Sequence, residues 1–211
     1  SEACSGKCFS KYWMHNAFLN IDNRKMSKSL GNFFTVREIG EKYDLQVLRF
    51  FMLNAHYRSP LNFSADLMES SKNALERILT AVENLKYVAE HTDVQEMTEE
   101  EVLKLEETKK FEENFDDSMD DDFNTADAIA AVFDLVKFAN TNVSEGSSKV
   151  FADALREKIQ SLCDILGIIT EKKEELLDAD IEQLIEERQA ARKAKNFARA
   201  DEIRNELLEK G

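Results

Sequence analysis

Residues 64–91 read SADLMESSKNALERILTAVENLKYVAEH, and this stretch decides the fold. Leu67, Ala74, Leu75, Ile78, Leu79, Val82, Leu85 and Val88 recur along one face at the helical period, while Asp, Glu, Lys and Arg occupy the other. Ser64 stands before the first apolar position, where a hydroxyl can accept a hydrogen bond from an orphan backbone N–H. A helix of this length with a continuous apolar stripe has to bury it against other helices, so the expectation is a bundle.

The flanking sequence repeats the pattern. Thr98 and Glu101 have capping-box spacing and predict a helix running to about Met119. Asn124 or Thr125 opens the next, bearing Ile129, Val132, Phe133, Leu135, Val136 and Phe138. Gly146-Ser147-Ser148 reads as a turn. A further helix then carries Val150, Phe151, Leu155, Ile159, Leu162, Ile165 and Leu166, with Gly167 placed as its C-terminal cap. Four helices on short connections predict an antiparallel bundle over 64–175. Upstream, Thr35 to Glu38 offers another capping box. Asp44 caps a helix whose predicted stripe is Leu45, Leu48, Phe51, Met52 and Ala55, and Pro60 ends that region, 35–63.

Residues 1–34 read differently. They hold the single tryptophan and short apolar stretches without helical period, so strand and loop are expected. Too few residues are present for a β-α-β unit, which predicts the tail of a larger α/β domain. Residues 176–211 differ again, turning from Ile181, Leu184 and Ile185 to Arg188, Arg192, Lys193, Lys195 and Arg199. We expect a basic helical tip, truncated at its end.

Charge follows this organisation. The net charge is −14, but residues 1–92 sum to +2, residues 93–187 to −19 and residues 188–211 to +3. A polyanion would be accepted only at the two ends. No apolar run reaches the roughly 18–20 residues of a membrane span, and the N-terminus lacks the features of a secretory signal. The three cysteines are few and scattered, as in a reducing compartment. A cytoplasmic protein that binds neither membrane nor DNA is the expectation.

The sharpest chemical signal is Lys25-Met26-Ser27-Lys28-Ser29, followed by Leu30-Gly31-Asn32. Two ammonium groups three residues apart, with hydroxyls interleaved and a glycine close behind, can surround a triphosphate and stabilise charge that builds as its α-phosphorus is attacked. By residue frequencies the pentapeptide arises by chance in about one such chain in ten thousand. It is the KMSKS signature of the class I aminoacyl-tRNA synthetases. Together with Tyr12-Trp13-Met14-His15, Lys25 through Val36, His56-Tyr57-Arg58-Ser59, Asp121-Asp122-Phe123-Asn124-Thr125 and Ala191 through Leu207, it makes the chain resemble the C-terminal half of the cysteinyl-tRNA synthetase family.

That resemblance implies a mainly α fold, in which the tail end of a Rossmann-type α/β catalytic domain (1–34) precedes stem-contact helices and an antiparallel, DALR-like anticodon-binding bundle. It implies activation of cysteine by ATP with Mg²⁺, then transfer to tRNA(Cys) by a monomer. Lys28 becomes the main phosphate ligand with Lys25 in support, and Ser27 and Ser29 complete the loop. Arg192, Phe197 and Asp201 fall at the family's anticodon-reading positions, with Lys195 beside them. Here the residue types agree on their own terms, since a ring can stack on an unpaired base while a carboxylate reads a base amine; a charged helical hairpin is the alternative. Arg58 is open between an RNA backbone contact and a local salt bridge, and His15, on an expected strand, between lining the adenylate pocket and a structural role.

The family's zinc, which selects the cysteine thiolate, has its ligands upstream of Ser1, as does the HIGH motif, so no metal ligand is expected here and the chain alone should be inactive. Cys4 and Cys8 read as ordinary thiols, Cys163 as core, His91 as solvated, and the acids at 116–122 as a solvated helix junction and cap. Two other readings are a fragment of the related ligase joining cysteine to an amino sugar, and a stand-alone RNA-binding bundle. The basic tip counts against the first and the lysine pair against the second.

Overall fold

A computed structural model describes residues 1–170 except Lys28 and Leu30, together with Arg188, Arg199 and Ile203. The chain divides into two compact units, Ser1–Glu171 and Lys172–Gly211. In the first, a four-residue helix α1 (Glu2–Ser5) and a stretch without regular structure lead to the strands β1 (Leu19–Ile21) and β2 (Arg24–Lys25). Asp22 and Asn23 join them with φ of 47° and 60°, the double left-handed turn that lets a two-residue hairpin follow strand twist. A third strand, β3 (Leu61–Phe63), pairs parallel to β1, giving the order β2-β1-β3.

Between β2 and β3 lie α2 (Val36–Gly40) and α3 (Leu45–Leu53). Both start as their sequences dictate: Thr35 and Glu38 form the full capping box, and the Asp44 carboxylate accepts from the Gln46 N–H at 2.8 Å. The predicted stripe of α3 is met only in part. Phe51 is buried and Leu48 packs on the core as expected, but Leu45 and Met52 are half exposed, Ala55 lies beyond the helix, and Val47 and Phe50 are buried in their place. The segment is apolar nearly all round, so periodicity alone leaves its buried face undetermined. Packing against neighbours selects it.

The bundle comprises α4 (Ala65–His91), α5 (Glu99–Glu107), α6 (Lys109–Asp120), α7 (Thr125–Asn142) and α8 (Lys149–Ile165). The Ser64 hydroxyl caps α4, which packs on α3, α7 and α8. Its buried line is Met68, Ser71, Leu75, Ile78, Ala81, Val82, Leu85 and Ala89, one position off the prediction at each end; Leu67 faces outward. The single helix expected from Thr98 to Met119 is two. The break is at Thr108, fully buried, whose hydroxyl donates to the Leu105 carbonyl at 2.6 Å. A β-branched residue bonding its own backbone competes with the helical ladder.

Glu101 joins two helix starts. Its Oε2 accepts from the Thr98 N–H and its Oε1 from the Ser148 N–H, both at 2.9 Å, so one carboxylate serves the N-caps of α5 and α8. Burial pushes its pKa up, but the hydrogen bonds from Ser148 and Thr98 outweigh burial and hold it below the usual carboxylate value. At the far end of α8, Gly167 takes φ 66° and closes the helix, with Ile168 N–H donating to the Cys163 carbonyl. Cys163 is core, as expected. Among the described residues no helix is long and apolar enough to cross a membrane.

Candidate functional site

The Lys25–Ser29 pentapeptide begins on a strand. Lys25 is the last residue of β2, pairs with Asn20 of β1 and is exposed. The chain then leaves the sheet and returns at Asn32, whose carboxamide closes the excursion from both sides. Its Oδ1 accepts from the Ser27 N–H at 2.9 Å and its Nδ2 donates to the Lys25 carbonyl at 3.1 Å. Gly31 has φ 68°, a conformation that glycine adopts without a Cβ penalty. The Ser27 and Ser29 hydroxyls stand 2.7 Å apart. The result is a pinned loop with Lys25 at its base; Lys28 lies outside the described residues.

The sheet fixes this loop to the bundle. Asn62 of β3 accepts the Asn23 N–H at 2.7 Å through its side chain. Phe63 meets Phe51 of α3 edge-on at 5.8 Å and Phe34, just past the loop, at 6.4 Å. Loop, hairpin and α3 therefore share one anchor residue, Phe63.

A second constellation joins two motifs 64 residues apart. Asp122 lies at the α6–α7 junction, where it and Phe123 take φ of 59° and 56°, a conformation that costs non-glycine residues about 1–3 kcal/mol each. The turn is closed by Phe123 N–H donating to Met119 and Asn124 N–H to Ser118, and the Thr125 hydroxyl donates to the Leu53 carbonyl at 2.8 Å, tying α7 to the end of α3. Asp122 Oδ1 accepts from the Tyr57 hydroxyl at 2.8 Å and from Arg58 Nη2 at 3.2 Å, and Oδ2 from Arg58 Nε at 2.8 Å. Arg58 Nε also lies 2.9 Å from the Tyr57 oxygen. The Tyr57 hydroxyl first, and then the Asp122 charge, raise the guanidinium pKa further. His56 stacks on Tyr57, with its Nε2 3.8 Å from Asp122.

Of the acids from 116 to 122, expected as a solvated junction, Asp122 departs from that reading: it is half-buried and is the hub of this network. Asn124 does cap α7, accepting from the Asp127 N–H. His15 is not on a strand; it is exposed in irregular chain and stacks on Trp13. His91 is exposed, stacked on Tyr87. Arg192, Lys195, Phe197 and Asp201 lie outside the described residues. Among the described residues no three His, Cys, Asp or Glu side chains come together to hold a metal, and Cys4 and Cys8 are exposed thiols. These residues do not fit a zinc site. Sequence reasoning gave Asn32, Tyr57 and Asp122 no role of this kind. The one available signal was an asparagine following a glycine, a pair common in turns.

Three family profiles match the chain. The tRNA synthetases class I (C) catalytic domain matches residues 1–73, the DALR domain residues 114–170, and the cysteinyl-tRNA ligase anticodon binding domain residues 174–211. Cysteine–tRNA ligases of Lachnospira eligens, Lachnoclostridium phytofermentans and Clostridioides difficile are 66%, 58% and 49% identical over the whole chain, which covers 45%, 46% and 45% of them. The chain thus spans about half the length of these curated relatives. Among solved structures, the agnB2 LeuRS of Agrobacterium radiobacter K84, in a ternary complex with tRNA and LeuAMS, shares the fold with a TM-score of 0.57 at 17% identity, over 75% of this chain and 22% of that one.

Proposed function

Because the chain belongs to the cysteinyl-tRNA synthetase family, within class I, we propose that it supplies the phosphate-loop wall of the ATP site and the tRNA-binding helices of a cysteine–tRNA ligase acting in the cytoplasm. In the activation step a cysteine carboxylate oxygen attacks the α-phosphorus of ATP and pyrophosphate leaves, giving cysteinyl-adenylate; transfer to the 3′ end of tRNA(Cys) follows. In this reading Lys28 and Lys25 stabilise the negative charge that gathers on the phosphates as the bond to pyrophosphate breaks, and Ser27 and Ser29 offer hydroxyl donors. Mg²⁺, entering with ATP, neutralises part of the triphosphate charge. The observation that supports this most directly is the two-sided hold of Asn32 on the Lys25–Ser29 loop, since a phosphate cradle has to be shaped before the charge develops.

At the other end, Arg192, Lys195, Phe197 and Asp201 are the proposed anticodon contacts. The match of residues 174–211 to a cysteinyl-tRNA ligase anticodon binding domain favours tRNA over an amino-sugar acceptor. The test is fluorescence anisotropy of the chain with tRNA(Cys) and with the same tRNA carrying a replaced anticodon. Tighter binding of the first, with the preference abolished in Arg192→Ala and Asp201→Ala, is expected; equal binding of both would refute the anticodon assignment.

A further inference from the structure

We infer that Asp122 and Tyr57 are positioning residues that hold Arg58 as a preformed reader of an RNA phosphate. This rests on the tRNA-binding reading above and adds to it the place where a phosphate sits and the groups that aim the arginine. A guanidinium has two edges able to make paired hydrogen bonds. Here the Nε–Nη2 edge is spent on Asp122 at 2.8 and 3.2 Å. The other edge, built from Nη1 and the second N–H of Nη2, donates to no other described residue, and the Arg58 side chain is 65% exposed. That edge has the spacing of two phosphate oxygens.

The carboxylate is itself fixed from several directions. Tyr57 donates to it, the left-handed backbone of Asp122 and Phe123 sets its direction, and the Thr125 bond to Leu53 holds the junction on α3. The Tyr57 carbonyl in turn accepts from the Ala17 N–H at 2.8 Å, so the loop carrying Arg58 is anchored to the sheet side as well. An arginine free in solvent loses rotamer freedom when it grips an anion; one already held loses less, and the saving appears as affinity.

Asp122 is an acid beside the proposed path of a polyanion, which makes the test a matter of sign. General electrostatics predicts that Asp122→Asn, by removing a negative charge, tightens RNA binding. Positioning predicts the reverse. The experiment measures anisotropy of the full chain with tRNA(Cys) at several salt concentrations, with thermal melts to confirm that each variant is folded. Arg58→Ala is expected to bind about tenfold more weakly and to reduce the slope of log K against log salt by about one. Asp122→Asn is expected to bind about threefold to tenfold more weakly, and Tyr57→Phe, the milder change, about twofold. Adding Asp122→Asn to Arg58→Ala should cost nothing further, because a positioning residue has no effect without the group it positions.

If Asp122→Asn binds as tightly as the wild type or more so while Arg58→Ala binds weakly, the acid only neutralises the arginine and the inference is wrong. Binding indifferent to all three substitutions removes the phosphate contact but leaves the tRNA-binding reading standing. Failure of the wild-type chain to bind tRNA at all removes both.

Discussion

Asn32 closes its loop with one side chain that donates from its Nδ2 and accepts at its Oδ1, two atoms far enough apart to reach both sides of the excursion at once. Asn32→Ala is expected to raise the rate of tryptic cleavage after Lys25 several-fold, followed by mass spectrometry of early fragments; an unchanged rate would show that the serines hold the loop unaided. Cys163 illustrates the opposite case, a reactive group with nothing to react with. Burial, with a smaller contribution from the Asp164 charge, pushes its thiol pKa up to about 12. The raised value fixes the sign. Below the ordinary thiol pKa both folded and unfolded states hold the proton and the group is silent. Above it only the unfolded state ionises, so stability falls as pH rises from about 9 towards 12, by up to about 1.4 kcal/mol per pH unit. Urea melts across that range should show the loss in the wild-type chain and a smaller one in Cys163→Ala, measured from each protein's own neutral-pH stability. Gly167 belongs here too. A Cβ at that position would meet Arg49 Nη1 at 2.9 Å, but that atom ends a flexible side chain and can move. The left-handed backbone is the larger obstacle, and Gly167→Ala is expected to cost about 1–2 kcal/mol.

Helix starts are where the elements of this protein are most strongly specified, and Glu101 is the most consequential of them. Glu101→Ala would leave the Thr98 and Ser148 N–H groups without their acceptor at a site only 8% exposed. A loss of about 3 kcal/mol is expected, seen as a fall in Tm of about 6–12 °C. The lowered pKa sets the direction with acid: this contribution is complete above the ordinary carboxylate pKa and disappears as pH falls through the lowered value, so the gap between wild type and variant should narrow on acidification. Thr35, Asp44, Ser64, Thr98 and Asn124 could all be read as caps from sequence because a cap is a local transaction between a side chain and the next turn. Ser148 lay in a stretch read only as a turn, and its debt to Glu101 across 47 residues could not be read at all. The same contrast explains α3, whose buried face depends on what packs against it, and the α5–α6 break, where Thr108 is one β-branched residue among good helix formers. In the candidate site the lysine and serine positions were legible as a motif. The Asp122 network was not, because its members are ordinary residues whose meaning lies in being brought together.

At the scale of the molecule, the apolar cluster running from Val47 to Ile168 lies within the first unit. A chain ending at Glu171 is therefore expected to keep its helical circular dichroism and its cooperative thermal transition within a few degrees, while losing any discrimination between anticodons. Collapse of that truncated chain would show that the second unit is required for the first to fold. The uneven charge acts at this scale as well: with 28 acids against 9 bases between residues 93 and 187, the middle of the chain repels a polyanion, so the proposed RNA contacts are expected towards its ends.

The parallel pairing of β1 with β3 carries a consequence in time. Helices α2 and α3 are local and can form as soon as their residues exist, but β1 has its parallel partner 42 residues further along the chain, in register Leu19 with Leu61. During synthesis at roughly 5–20 residues per second, Lys25 waits about 2–8 seconds before Phe63 has been made. Until then the hairpin is a two-stranded ribbon, which has little stability alone. The loop that would bind phosphate is thus translated ahead of the strand that completes its sheet, and a nascent chain has no finished cradle until the helices beyond it have begun to assemble.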